Sequence, residues 1–496
     1  MALLPLKLPA GIYRNGTDYQ AQGRWLDSNL VRWIDNTIRP VGGWVTFSDD
    51  AAAAPLRGSH AWKSNAGDLY LAAGSADNLY AYNQDGSIAD ITPISLGTGK
   101  EDSEINTGFG GGLYGASTFG TERVNNETII PASSWALDNW GEYLVACADT
   151  DGKLYEWQLD RTTPTVAAQI TNAPTNCRSL IVTEERFLFA LGAGGNPRKV
   201  QWCDREDNTT WTPLATNEAG DLELQTNGFI ECAYRVRGQT LILTDQDAHI
   251  ATYQGAPYVY GFERVGNACG VISKKSGAVV EGGCIWMGER NFFMYRGGTV
   301  QEIPSEVDDY VFRSINRDQK AKICAIPNKQ FNEIWWFYPD DNNLENNRYV
   351  VYNYKENFWF IGELGRTTGV DAGVFRNPVM FCASSKLPHQ HEVGYDYHNA
   401  GMPWAETGAI SLGTGDQVMR VVSMIPDELT QGDVTATFKT RFHPNDTERS
   451  YGSYAMANPT SLRFTGRQIK MRIDGERLTD WRLGTNRLEV MPGGKR

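Results

Sequence analysis

The feature that most limits what this chain can fold into is a short apolar hairpin pattern that recurs with a spacing in the forties. Apolar centres fall near residues 70, 144, 188, 242, 285, 335 and 380, so after a longer first gap the intervals are roughly 44, 54, 43, 50 and 45. Each centre sits inside a strand–turn–strand signal. Residues 68–82 read DLYLAAGSADNLYAY, with a turn at Gly74 and Asp77-Asn78. Residues 140–157 read WGEYLVACADTDGKLYEW, with Asp151-Gly152 between alternating apolar residues, a strong local hairpin cue. The same reading covers 186–202 (turn at 192–196), 239–253 (turn at 245–247) and 284–300 (turns at 288–290 and 296–298). It also covers 333–354, with an Asn-rich loop at 341–347, and a final start at 378–383.

A small sheet of this kind cannot bury both of its faces alone. Stacking such sheets around an axis does bury them, and hairpins at a period in the forties are the mark of propeller blades. The chain is therefore expected to be all-β, with a β-propeller-like body of six to eight blades over residues 46–400. A Gly-rich insertion at about 95–135 accounts for the long first gap. A pair of β-sandwiches with similar hairpins is the competing architecture. Residues 401–496 alternate with period two at 433–443, 466–473 and 486–492, which predicts strands with one wet face and a small C-terminal β-sandwich subdomain. Residues 1–45 read as an N-terminal extended segment.

Composition agrees where it bears on this. The 51 glycines supply turns, and the 15 tryptophans supply large flat packing surfaces. The net charge of −13 disfavours groove binding of nucleic acid, which calls for a basic stripe. That charge is uneven: residues 1–45 carry +2, residues 463–496 carry +5, and the middle carries −20. Two readings remain: basic ends that dock on the acidic body or on acidic neighbours, and an acidic wall that lets DNA pass without sticking. The eight cysteines form no CxxC pair and read as buried free thiols of a protein made in a reducing cytoplasm. No run of 18 apolar residues predicts a membrane-spanning helix. The opening MALLPLKLPAGIY lacks a basic n-region and contains Pro5 and Pro9, so it does not read as a signal peptide.

No reactive constellation stands out. The segment 107–120, TGFGGGLYGASTFG, only nominally fits a Gly-rich phosphate loop, because no apolar strand precedes it and no helix pattern follows; it reads as a long contact loop with aromatic anchors. His389, His391 and His398, with Glu392 and Asp396, form the one histidine cluster, and with Pro388 and Gly394 beside them they read as a loop rather than a metal site. Asp308-Asp309 and Asp340-Asp341 read as turn acids rather than a glycosidase pair. GxSxG and HExxH are absent. The expectation is no enzyme activity, no catalytic residue, no metal and no cofactor. Trp335-Trp336, Phe358-Trp359-Phe360 and Trp25, Trp33 and Trp44 are weighed as sugar-stacking rings against packing between blades.

The most distinctive stretch is N-terminal: Tyr13-Arg14-Asn15-Gly16-Thr17, then residues 23–33, GRWLDSNLVRW, then residues 38–44, IRPVGGW. It resembles the opening of bacteriophage short-tail nozzle proteins, also called tail tubular protein B or phage stabilisation proteins, in which an N-terminal stretch ends at an Arg-Pro-x-Gly-Gly type turn. Further similarity lies in the Gly-aromatic loop at 108–120, in Leu137-Asp138-Asn139-Trp140-Gly141-Glu142, and in residues 466–490 near the C-terminus. The resemblance implies a structural virion protein, made in the host cytoplasm, that forms a homohexameric ring below the portal adaptor. Tail fibres or tailspikes would attach outside, and DNA would be ejected through the lumen without specific binding. Arg24, Trp25, Arg32, Trp33, Arg39, Trp44, Phe109, Tyr114 and Phe119 are the candidate interface residues, since Trp and Arg are favoured at interface hot spots. The alternative is a receptor- or glycan-binding β-propeller of the tail.

Overall fold

The computed structural model describes residues 2–105, 129–159, 166–398, 400–413, 417–444 and 446–495. Among them, seven four-stranded antiparallel sheets follow one another along the chain. Their innermost strands are Gly58–Lys63, Trp135–Trp140, Ser179–Val182, Ile230–Val236, Gly277–Val280, Cys324–Asn328 and Thr368–Val370. Each of these strands lies against the next, and the last returns to the first. This closed circuit is a seven-bladed β-propeller. Each apolar centre read from the sequence is the second strand of one blade, from Leu69–Gly74 through Glu333–Tyr338 to Val379–Phe381.

Burial explains why those centres were visible. A second strand is covered by the adjacent blades on both faces, so all six residues of Glu333–Tyr338 (EIWWFY) are buried. Rim strands are covered less evenly: both residues of Ala168–Gln169 and three of Gly220–Glu223 are exposed, whereas Phe358–Glu363 of the sixth blade is mostly buried under the N-terminal stretch. Blades are also joined by indole hydrogen bonds. Trp135 Nε1 of the second blade donates to the Ser75 carbonyl after the first blade's second strand at 2.7 Å. Trp336 Nε1 of the sixth donates to the Ser276 carbonyl at 2.8 Å.

The seventh blade is completed from the other end of the chain. Thr368–Val370, Val379–Phe381 and Pro388–His391 are joined by Trp44–Thr46, with Trp44 opposite His391 and Thr46 opposite His389. The strand Trp44–Thr46 straddles the sequence boundary drawn at 45/46 and closes the ring between its first and last blades.

The C-terminal residues form the expected sandwich. One sheet contains Gln417–Ile425, Thr460–Gly466 and Arg487–Lys495; the other contains Trp404–Thr407, Val434–Arg441, Arg449–Ala455 and Gln468–Gly475. Val421, Met424, Phe464 and Leu488 from the first meet Ala436, Phe438, Met471 and Ile473 from the second. Each sheet also takes a strand from the N-terminus: Ala2–Pro5 pairs with Arg487–Lys495, and Trp25–Asn29 pairs with Trp404–Thr407. The stretch 2–45 is thus shared between the two domains. The sandwich core, the N-terminal residues and the fifth and sixth blades belong to one continuous apolar cluster.

Candidate functional site

The N-terminal stretch works as a strap. After the sandwich strand Ala2–Pro5, the Ile12 amide donates to the Trp359 carbonyl of the sixth blade at 2.7 Å. Ser28 Oγ donates to the Ile361 carbonyl at 2.8 Å, and the Leu30 amide donates to the Tyr349 hydroxyl at 2.8 Å. A tight hairpin follows, Val31–Ile34 against Thr37–Pro40, turning through Asp35 and Asn36 at φ 50° and 58°. Asp and Asn tolerate that left-handed backbone better than most residues. Ile38 exchanges backbone hydrogen bonds with Leu483 of the sandwich at 3.1 and 3.0 Å. The chain then reaches Gly42-Gly43 and enters the seventh blade.

The two glycines are required by close approach. A Cβ on Gly42 would lie 2.6 Å from the Glu392 Cα, and one on Gly43 would lie 2.4 Å from the Asp396 carbonyl oxygen. The Arg-Pro-x-Gly-Gly pattern therefore has a mechanical origin, since any side chain there would push the strap off the seventh blade.

Arg32 is the electrostatic centre of the strap. Its side chain is 1 % exposed and meets two carboxylates, Glu333 at 3.0 Å and Glu392 at 2.6 Å. Its guanidinium lies over the Phe331 ring at 3.7 Å. Glu392 also accepts from the Asn328 side-chain amide at 2.9 Å and from the Gly42 amide at 3.1 Å, and Glu333 accepts from Trp335 Nε1 at 3.0 Å. Burial pushes Glu333 up to about 7 despite Arg32, while the two carboxylates hold Arg32 above its ordinary value despite its own burial. One strap residue thus pins the sixth blade to the seventh.

These contacts revise the interface candidates. Trp25, Trp33 and Trp44 are buried within the chain: Trp25 packs on Trp33, Trp33 on Phe358 and Phe360, and Trp44 stacks on His391. A hot-spot ring must be open in the free subunit, and these are not, because the strap needs them as its own core. Arg32 is used up by its two carboxylates. Arg24 is half-buried and paired with Glu306, and Arg39 is half-buried beside Tyr395 and Asp480. Phe109, Tyr114 and Phe119 lie outside the described residues. The N-terminal basic end docks on the acidic body through Arg24–Glu306, Arg32–Glu333 and Arg32–Glu392. Trp335, Trp336, Phe358, Trp359 and Phe360 are also buried, with Phe292 of the fifth blade 4.4 Å from Trp359.

The acidic pairs have structural partners. Asp308 and Asp309 open a short helix, Asp308–Ser314, and Asp309 pairs with Arg313 at 2.8 Å. Asp340 accepts from Asn343 at 2.6 Å and Asn347 at 3.0 Å and pairs with Arg348 at 3.1 Å. His389 and His391 lie on the strand Pro388–His391, where the sequence reading expected a loop, because pairing with Trp44–Thr46 extends that segment. Burial, reinforced by the Arg366 guanidinium, lowers both imidazoles, His389 to about 4. A neighbouring cation of this kind opposes a metal ion. Among the described residues no group of three or more His, Cys, Asp or Glu is arranged to hold one.

The feature that sequence reading missed is the axial cavity. It has a volume of about 390 Å³ and is lined by the innermost strands of all seven blades, which supply His60, Asp138 and Arg235, and by Lys274 and Lys275 just before the fifth blade. Asp138 receives both Arg235 Nη atoms, at 2.9 and 3.0 Å, and the Val182 amide at 2.9 Å. Lys274 pairs with Asp149 and donates to the Arg178 carbonyl at 2.7 Å. His60 meets the Asn139 side chain at 3.0 Å, and burial lowers its imidazole. Lys275 has no side-chain partner among the described residues, and burial lowers its ammonium. No linear motif marks these residues, because seven separate strands converge only when the ring closes.

No protein-family model matches the chain, and a search of curated protein sequences finds no match. Among solved structures, the virginiamycin B lyase of Staphylococcus aureus is 7% identical, covering 70% of this chain and 97% of that one, at a TM-score of 0.40. The Pan2 WD40 domain of Neurospora crassa is 6% identical, covering 73% and 97%, at 0.39. PorZ of Porphyromonas gingivalis is 9% identical, covering 84% and 48%, at 0.35. The propeller assignment rests on the strand pairing and ring closure described above, and these likenesses carry no activity over to this chain.

Proposed function

We propose that this chain is a nozzle, or hub, subunit of a short bacteriophage tail: a structural virion component without catalysis, closing into a six-fold ring below the portal adaptor. The observation that supports this most is that the residues carrying the family resemblance, 13–44, form a single mechanical part, the strap that ties propeller to sandwich. A subunit that bears load in a channel benefits from a shared core and from a ring of blades closed by its own N-terminus. An axial cavity of about 390 Å³ has the size of a small-molecule site. In this reading the DNA path therefore lies between subunits and not along a propeller axis. Leu214, Leu222, Phe229 and Tyr258 are exposed large apolar side chains on or beside the third and fourth blades, and a ring contact would cover them.

The test is negative-stain imaging of the purified chain, alone and with the adaptor ring from the same genome. Open six-fold rings in either sample are the expected result. Monomers that persist beside an intact adaptor ring refute the nozzle. A ligand-binding tail propeller is the second reading, favoured by the axial cavity, and a glycan array would distinguish it.

A further inference from the structure

We infer that the axial cavity is a binding site for a small oxyanion, a carboxylate or phosphate group, with Lys275 as its cation. The inference is independent of the ring proposal.

Charge pairing inside the cavity carries the argument. The lining supplies three cations, Arg235, Lys274 and Lys275. Arg235 is neutralised by Asp138 through two hydrogen bonds, and Lys274 by Asp149. Asp138 has no capacity left for Lys275, since its two oxygens already take the Arg235 pair and the amides of Asn139 and Val182. Lys275 is left as the one lining cation with no hydrogen-bonded or ion-paired carboxylate among the described residues. Lys275 is half-buried at the cavity wall, and burial disfavours its charged form. Asp149 and Asp138, the carboxylates that attract Lys275, are each already committed to another cation, Lys274 and Arg235. A half-buried cation without a hydrogen-bonded counter-ion is stabilised by an anion that meets it.

The surroundings suit an oxyanion on a small organic body. Leu137, Leu180, Ile181 and Val279 line the cavity beside the polar groups, giving the mixture of apolar wall and few polar contacts typical of ligand sites. Burial lowers the His60 imidazole, so Lys275 is the cation the site offers.

Sodium benzoate and inorganic phosphate, each titrated into the full chain at constant ionic strength and followed by calorimetry and thermal unfolding, test the inference. Saturable binding of benzoate identifies a carboxylate site, and saturable binding of phosphate a phosphate site. In Lys275→Met the affinity should fall about tenfold or more, the loss expected for a hydrogen bond to a charged group. Without anion, Lys275→Met should unfold at a temperature no lower than the parent, because it removes a half-buried cation without an ion-paired carboxylate; Lys275→Gln is the second variant should methionine perturb packing. The inference fails if neither anion binds saturably, or if both variants bind as tightly as the parent.

Discussion

Replacing Arg32 by methionine removes the cation from a buried group of three and leaves Glu333 and Glu392 without it. Breaking a buried ion pair from one side costs about 3–5 kcal/mol, because the abandoned charge stays desolvated. Here two carboxylates are abandoned, and Glu333 can escape by taking up a proton, so the cost depends on pH. In the parent chain Glu333 already sits at about 7 against an ordinary 4.5. A carboxyl whose folded value lies above its unfolded value holds its proton more tightly in the native state. Its stabilising contribution is full below pH 4.5 and is lost as pH rises to about 7, a loss of at most about 3 kcal/mol for this shift. Without Arg32 the attraction that lowers Glu333 is gone, so the loss extends to higher pH. Urea unfolding followed by tryptophan fluorescence at pH 5 and pH 8 measures this directly. Arg32→Met should be destabilised at both values and more so at pH 8, and Glu333→Gln should flatten the parent's slope between pH 5 and 7. A cost below about 1 kcal/mol at pH 8, or a deficit that does not change with pH, refutes the argument.

Trp44→Ala removes a buried ring that stacks on His391 and lies under the Arg366 guanidinium, and should cost about 3–5 kcal/mol in the same unfolding assay. Gly43→Ala places a Cβ against the Asp396 carbonyl and should cost about 1–3 kcal/mol through overpacking. In the native protein only Cys382 should react readily with a thiol reagent, with all eight reacting after denaturation. It alone is half-exposed; burial raises its thiol, but hydrogen bonds from Ser384 and Ser385 and the Arg366 charge outweigh that and leave it below the ordinary value. Tyr258→Asp, at a position 78 % exposed, should change stability by less than about 0.5 kcal/mol yet abolish rings in negative stain if that surface is the subunit contact.

Much of the fold was legible in the sequence because a blade's second strand is covered on both faces. That double burial demands an unbroken apolar run such as EIWWFY, and such a run is visible without any knowledge of its neighbours. The period of those runs determined the all-β class and the propeller. The alternation over 433–443 determined a sandwich strand, since Val434–Arg441 turns every second residue inward over most of its length. Ring closure and strap contacts were decided only in three dimensions. Whether six, seven or eight blades close depends on how far each is rotated from the next, which no single hairpin encodes, and on the pairing of Trp44–Thr46 with Pro388–His391, over 300 residues away. The strap tryptophans illustrate the same limit. Trp25, Trp33 and Trp44 have the composition of an interface, and only the packing of the strap against the sandwich and the last blades shows that the surface they serve is internal. The axial cavity was least legible of all. Its charged lining comes from separate segments, and Lys275 is left without an ion-paired carboxylate only when ring closure fixes which carboxylates it can reach.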